Sequence, residues 1–228
     1  MDRASWDRRA PLTGALFAVI YAVAYFLFPT SSPPKASDSG ATWMTYVTGH
    51  RDALLWRGYL VGIALVLFLW FISAVGTRLR ARDEGRLAST MFAGGVVLAT
   101  IAILQSAATT WIAYDHGAGL NGSTLKAILN GPQLAYAFPW AVFVGAASVA
   151  TWRSKMVPSW LSTYGLVLTV WILVTGATYA HSGFFSPTGW FGKIALIAFL
   201  VGMFVAGGWL AMHPEGEEQM STRPAMGH

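Results

Sequence analysis

Asp115 and His116 close an apolar segment in the run Trp111-Ile112-Ala113-Tyr114-Asp115-His116. A carboxylic acid with reduced solvation holds its proton more tightly and can donate it, and a neighbouring imidazole can orient or recharge it. Beside aromatic rings, such a donor suits carbocation chemistry. Protonation of an alkene or epoxide makes a cation, and Trp, Tyr and Phe faces stabilise it while excluding water. Asp115 is therefore the predicted catalytic acid and His116 its partner. The plainer reading, two solvated residues at a helix end, stands beside it.

The aromatic residues are unevenly spread. Tyr21, Tyr25, Tyr46, Tyr59, Tyr114, Tyr136 and Tyr179 fall in one half of the expected membrane bundle, and Tyr164 alone falls in the other. An interfacial belt would decorate both faces of a bilayer. Phe17, Tyr21, Tyr25 and Phe28 recur at helical spacing and share one face. Gln105, Thr109, Ile112 and His116 align in the same way, with Trp111 and Asp115 on the adjoining flank. Gln133, Tyr136 and Trp140 form a third stripe; Trp171, Thr175, Thr178 and Ser182 form a fourth, with Tyr179 and His181 close by. Polar side chains within a span face a bundle interior or a wet cavity. Turned inward, the stripes predict an aromatic chamber for a lipophilic ligand: Tyr21, Tyr25, Trp111, Tyr136, Trp140, Tyr179 and His181 line it, and Gln105 and Gln133 orient a polar end. With the threonines bonded to their own helices and the rings at the lipid boundary, no chamber forms.

These residues are held by apolar segments near the spanning length of roughly 20 residues. Spans are expected at about 11–29, 57–76, 89–113, 132–151, 159–180 and 191–212, giving an all-α bundle of six transmembrane helices. The chain has 228 residues, 55% of them hydrophobic and 11% charged, so its solvent must largely be lipid. Helices are required because unpaired backbone groups in hydrocarbon cost several kcal/mol. Arg57 and Lys193 sit near span ends, where they can snorkel. Arg3, Arg8 and Arg9 precede the first apolar stretch, which reads as a retained helix because no small-residue cleavage site follows it.

Basic residues set the orientation. Arg3, Arg8, Arg9, Arg78, Arg80, Arg82, Arg86, Arg153, Lys155 and Arg223 fall on one side; Lys35, Arg51, Arg57, Lys126 and Lys193 fall on the other. The richer side is cytoplasmic by the positive-inside rule, with both termini inside a bacterial cytoplasmic membrane. The longest outer connection, 30–56, opens on Thr30-Ser31-Ser32-Pro33-Pro34 and continues through Trp43, Met44, Tyr46 and Val47, the pattern of a short interfacial helix over the outer mouth. Residues 213–228, with Glu215, Glu217 and Glu218, read as a disordered cytoplasmic tail.

Several function classes are disfavoured. The net charge is +5, but the basic residues are scattered in short loops without an aromatic nucleic-acid module. The absence of cysteine removes disulfides, iron–sulfur clusters and thiolate zinc sites. His50, His116 and His181 come from different segments without ligand spacing, so neither a metal nor another cofactor is expected. There is no Walker A sequence, G-x-S-x-G elbow, H-E-x-x-H or dinucleotide fingerprint. No charge lies deep in a span, where a coupled transporter would carry its relay.

The stretches Gly49-His50-Arg51, Leu67-Phe68-Leu69-Trp70-Phe71, Arg78-Leu79-Arg80 and Gly85-Arg86-Leu87-Ala88 resemble a group of uncharacterised six-helix membrane proteins from actinobacteria. In size, helix count and aromatic outer half, the chain also resembles the small membrane terpene cyclases of bacterial indole-sesquiterpenoid pathways. That likeness implies metal-free, protonation-initiated cyclisation of a prenylated substrate and assigns no residue. The expected function is thus a membrane-embedded enzyme of this type, with the bilayer and a lipophilic small molecule as its partners. A non-enzymatic accessory subunit, its aromatics buried on a membrane protein partner, is the alternative, as is a permease for small lipophilic molecules.

Overall fold

The computed structural model describes residues 9–28, 33–35, 37–117, 119–177, 183–185 and 189–213; the side chains of Gln133 and Leu134 lie outside that description. Eight helices are present among the described residues: α1 (Leu12–Phe26), α2 (Gly40–Gly49), α3 (Arg51–Arg80), α4 (Gly85–Tyr114), α5 (Gly122–Ala135), α6 (Ala137–Ser154), α7 (Ser159–Gly176) and α8 (Trp190–Met212). Five segments are long and apolar enough to cross a membrane: α3, α4, α5 continued into α6, α7 and α8. The protein is a multi-pass, all-helical membrane bundle. With 15 residues, α1 is equally apolar but shorter.

The core runs along α3, which packs against α1 and α4. Phe68, Ile72 and Leu79 of α3 are fully buried, as are Met91 of α4, Ile172 of α7 and, nearly so, Leu210 of α8. Lipid is as apolar as these side chains, so association depends on close packing, and small residues supply it. A Cβ on Gly94 would stand 2.9 Å from the Phe143 amide nitrogen, which fixes how closely α4 meets α6. On Gly207 it would stand 2.7 Å from the Ala15 nitrogen and 2.8 Å from the Pro11 carbonyl oxygen, bringing α8 against α1.

One end of the bundle is basic, and its arginines close the helices. Arg78 donates from Nη1 to the Leu210 carbonyl (2.8 Å), in the last turn of α8; Arg82 donates to the Ser154 carbonyl (2.7 Å), at the end of α6. Terminal carbonyls lack intrahelical partners and carry the negative end of the helix dipole, so guanidinium donors satisfy both needs. Arg153 pairs with Glu84 at 3.0 Å.

The opposite end is capped by α2 and α5, which pack on each other and on the ends of α3 and α4. Trp43, Val47, Leu54, Ile112, Ala113, Leu125 and Leu129 form a second core there. Ser39 caps α2, accepting from the Thr42 amide, and Asn121 caps α5, accepting from the Thr124 amide. Lys126 donates to the Asp38 carbonyl (2.9 Å), and the Trp43 indole donates to the Lys35 carbonyl (3.2 Å). The short helix expected around 43–47 is α2. The fourth apolar segment begins earlier than its hydropathy suggested, because α5 adds polar turns from Gly122 before the break at Tyr136. The tail from residue 214 lies outside the described residues.

Candidate functional site

The stripes on α1, α4 and α6 converge inside the capped half. Phe17 and Tyr21 have ring centroids 5.5 Å apart, and Tyr21 stacks on Tyr25 at 6.4 Å, so the α1 stripe is continuous from Phe17 to Tyr25. The Tyr136 hydroxyl donates to Gln105 Oε1, and Gln105 Nε2 donates to the Leu129 carbonyl at 3.0 Å. This glutamine joins α4 to both α5 and α6 through the kink between them. Thr109 bonds back to the Gln105 carbonyl (2.8 Å), as a threonine on a helix interior commonly does.

Arg57 of α3 completes the group. Its guanidinium carbon lies 5.0 Å from the centre of the Tyr25 ring, which in turn stacks on Tyr21. Sequence reasoning took Arg57 for a snorkelling residue; its position on the same side of α3 as these phenols could not be read without the packing. Trp140, one turn beyond Tyr136 on the same face, packs edge-on against Phe199 at 5.2 Å. Its indole nitrogen is buried and makes no hydrogen bond among the described residues. Phe17, Phe68, Phe143 and Phe199 continue the contacts ring on ring beneath the cluster.

The remaining predicted residues lie elsewhere. Trp111 is 61% exposed, and Asp115 and His116 are exposed at the end of α4, away from the Gln105 face. Asp115 is the C-cap; His116 follows with φ +44°, and the Gly117 amide returns to the Ile112 carbonyl (2.8 Å). That is the left-handed helix stop usually occupied by glycine. Gln133 falls within α5 but its side chain is not described, and Tyr179 and His181 lie outside the described residues.

Trp111 belongs to a different feature. Between α3 and α4, on the sides opposite Arg57 and Gln105, runs a groove of about 590 Å³ in the capped half. Small residues, Gly58, Gly62 and Ala107, and three aromatic ones, Tyr59, Trp111 and Tyr114, are among those that line it. Thr110 fills the space over Gly58, whereas a Cβ on Gly62 would meet nothing within 4 Å. The two glycines share the small-xxx-small spacing common at helix contacts, yet only Gly58 is covered by the facing helix. The groove volume lies within the usual range for ligand sites, roughly 300–1,000 Å³. A second cavity, about 100 Å³ and lined by Met91, Phe143, Ser148 and Tyr164 among others, lies in the basic half. It is below that range.

Comparison with protein-family models, with curated proteins and with solved structures finds no match to this chain.

Proposed function

We propose that this protein is a membrane-embedded enzyme that holds a lipophilic, prenylated molecule in the α3–α4 groove and cyclises it by metal-independent protonation. The observation that carries the proposal is a ligand-sized groove lined by three aromatic residues, and a carboxylate one helical turn beyond Trp111. The small lining residues admit a branched hydrocarbon chain, and Tyr59, Trp111 and Tyr114 offer π faces to a developing cation. A substrate chain laid over the end of α4 shields the otherwise exposed Asp115 from water, and its carboxyl then gives its proton to a terminal alkene or epoxide. An internal π bond then captures the cation, and loss of a proton from the cyclised cation restores the acid. The product is an isomer of the substrate. His116 is the group that returns the proton to Asp115. Tyr21, Tyr25, Gln105, Tyr136 and Trp140 hold the opposite faces of the helices that carry the groove.

In this reading α1 is a sixth span, both termini face the cytoplasm, and the groove opens to the outer leaflet of a bacterial cytoplasmic membrane. The arginines at one end of the bundle support that orientation.

The test is mass-resolved chromatography of membranes fed prenylated aromatic and farnesyl substrates. An isomer made by the wild type and lost in both Asp115→Asn and Gly62→Leu, at equal expression, is the expected result. Formation that survives Asp115→Asn removes the acid and keeps the groove. No conversion of any substrate removes the enzyme.

One observation favours a second reading. Trp56, Tyr59, Trp111 and Tyr114 are each about 60% exposed and stand in adjoining pairs, Trp56–Tyr59 at 6.1 Å and Trp111–Tyr114 at 5.8 Å. A partner helix laid in the groove would bury all four, as aromatic interface anchors are buried. An accessory subunit would then crosslink to one co-purifying membrane protein through the groove and turn over nothing.

A further inference from the structure

Arg57 raises a question the groove does not answer. Its guanidinium has five N–H donors, yet among the described residues it makes neither a hydrogen bond nor an ion pair. The carboxylates of the capped half are engaged or distant: Asp52 pairs with Arg51 at 3.1 Å, Asp38 accepts from the Lys35 amide at 2.7 Å, and Asp115 is exposed at the end of α4. The Tyr25 ring, in the last turn of α1, gives a cation–π contact, and the helix end gives a partial negative charge of about half a unit. Together they orient the guanidinium and leave its donors open.

The depth of Arg57 is set by the chain. Residues 58–77 contain no charge, and Arg78 follows at the basic end. Twenty helical residues span roughly 30 Å, the thickness of a bilayer's hydrocarbon core. Arg57 therefore stands where hydrocarbon gives way to lipid headgroups, half-buried beside a short helix whose next residues, Phe26 and Leu27, are exposed. Beside it are Tyr25 and, stacked on that ring, Tyr21, whose hydroxyls add donors, while the Tyr136 hydroxyl is committed to Gln105.

We propose that Arg57, with the phenols of Tyr21 and Tyr25, binds the phosphodiester head of an anionic membrane lipid at this level of the bundle. Guanidinium and phenol donors match the phosphate oxygens, and the lipid's chains remain in the bilayer. The site faces away from the groove and does not depend on what the groove holds.

The full chain, purified from a mixed membrane of phosphatidylglycerol and phosphatidylcholine, is tested by mass spectrometry of the retained lipid. The wild type should enrich phosphatidylglycerol about fivefold, the weight of one basic side chain at an anionic surface. Arg57→Gln should lose that enrichment, and Arg57→Lys should retain part of it. A folded Arg57→Gln protein that keeps the wild-type ratio overturns the proposal, as does a wild type without enrichment. Inorganic phosphate should not displace the lipid; displacement would make this a site for a soluble anion and overturn the lipid. A phosphatidylglycerol analogue photoreactive in its head gives a readout on the wild type alone. It should label peptides carrying Tyr21, Tyr25 or Arg57, and labelling confined to other peptides overturns the proposal even where Arg57→Gln fails to fold.

Discussion

His116 shows how one residue can belong to two accounts. Its left-handed backbone costs a side-chain-bearing residue on the order of 1–2 kcal/mol, and glycine removes that strain. His116→Gly should therefore stabilise the fold by up to about 1 kcal/mol after the added chain entropy of glycine, read as a higher thermal unfolding midpoint. If His116 also returns the proton to Asp115, the same variant will be more stable and less active; a stabilised variant of unchanged activity assigns it to the helix stop alone. Gln105 makes a sharper structural case. Gln105→Leu strips partners from the Tyr136 hydroxyl and the Leu129 carbonyl, and hydrogen bonds between membrane helices are worth about 1 kcal/mol. The expected outcome is a loss of that size in unfolding from detergent micelles, with α5 exchanging its amide hydrogens faster than α3.

The helices meet through small residues, and the glycines differ in what surrounds them. At Gly207 the backbone of α1 leaves no room for a side chain, so Gly207→Val should cost about 1–3 kcal/mol, the range for overpacking a filled interior. At Gly62 the space is open, so Gly62→Leu should leave the unfolding midpoint unchanged while filling the groove. The two variants, compared in one thermal unfolding series, separate a packing glycine from a groove-lining one. The stripe on α1 was legible from spacing alone, and its rings do contact one another. The α4 segment was only partly legible. Gln105 and Trp111 sit on one helix yet serve opposite sides of it, and the choice of inner side depends on which neighbour packs where.

At the scale of the whole chain, Arg78 and Arg82 of the basic end bind carbonyls of neighbouring helices, so the residues on which the proposed orientation rests also close helix ends. The lack of cysteine makes orientation directly testable. A thiol introduced at Thr48, exposed on α2, should react with a membrane-impermeant reagent in intact cells; one at Ala81 should react only after permeabilisation. The reverse pattern would turn the bundle over and place the groove in the cytoplasmic leaflet.

Composition and apolar segment length were enough to establish a helical membrane protein, because backbone groups in lipid have few ways to be satisfied and spans must match the bilayer. Helical spacing also told which residues of α1 share a face. It could not tell how helices distant in sequence pair. Only the packing brought Arg57 against Tyr25 and Gln105 against Tyr136, left Asp115 exposed, and kept open space at Gly62. Those outcomes depend on side-chain fit between surfaces of nearly equal hydrophobicity, which periodicity does not encode.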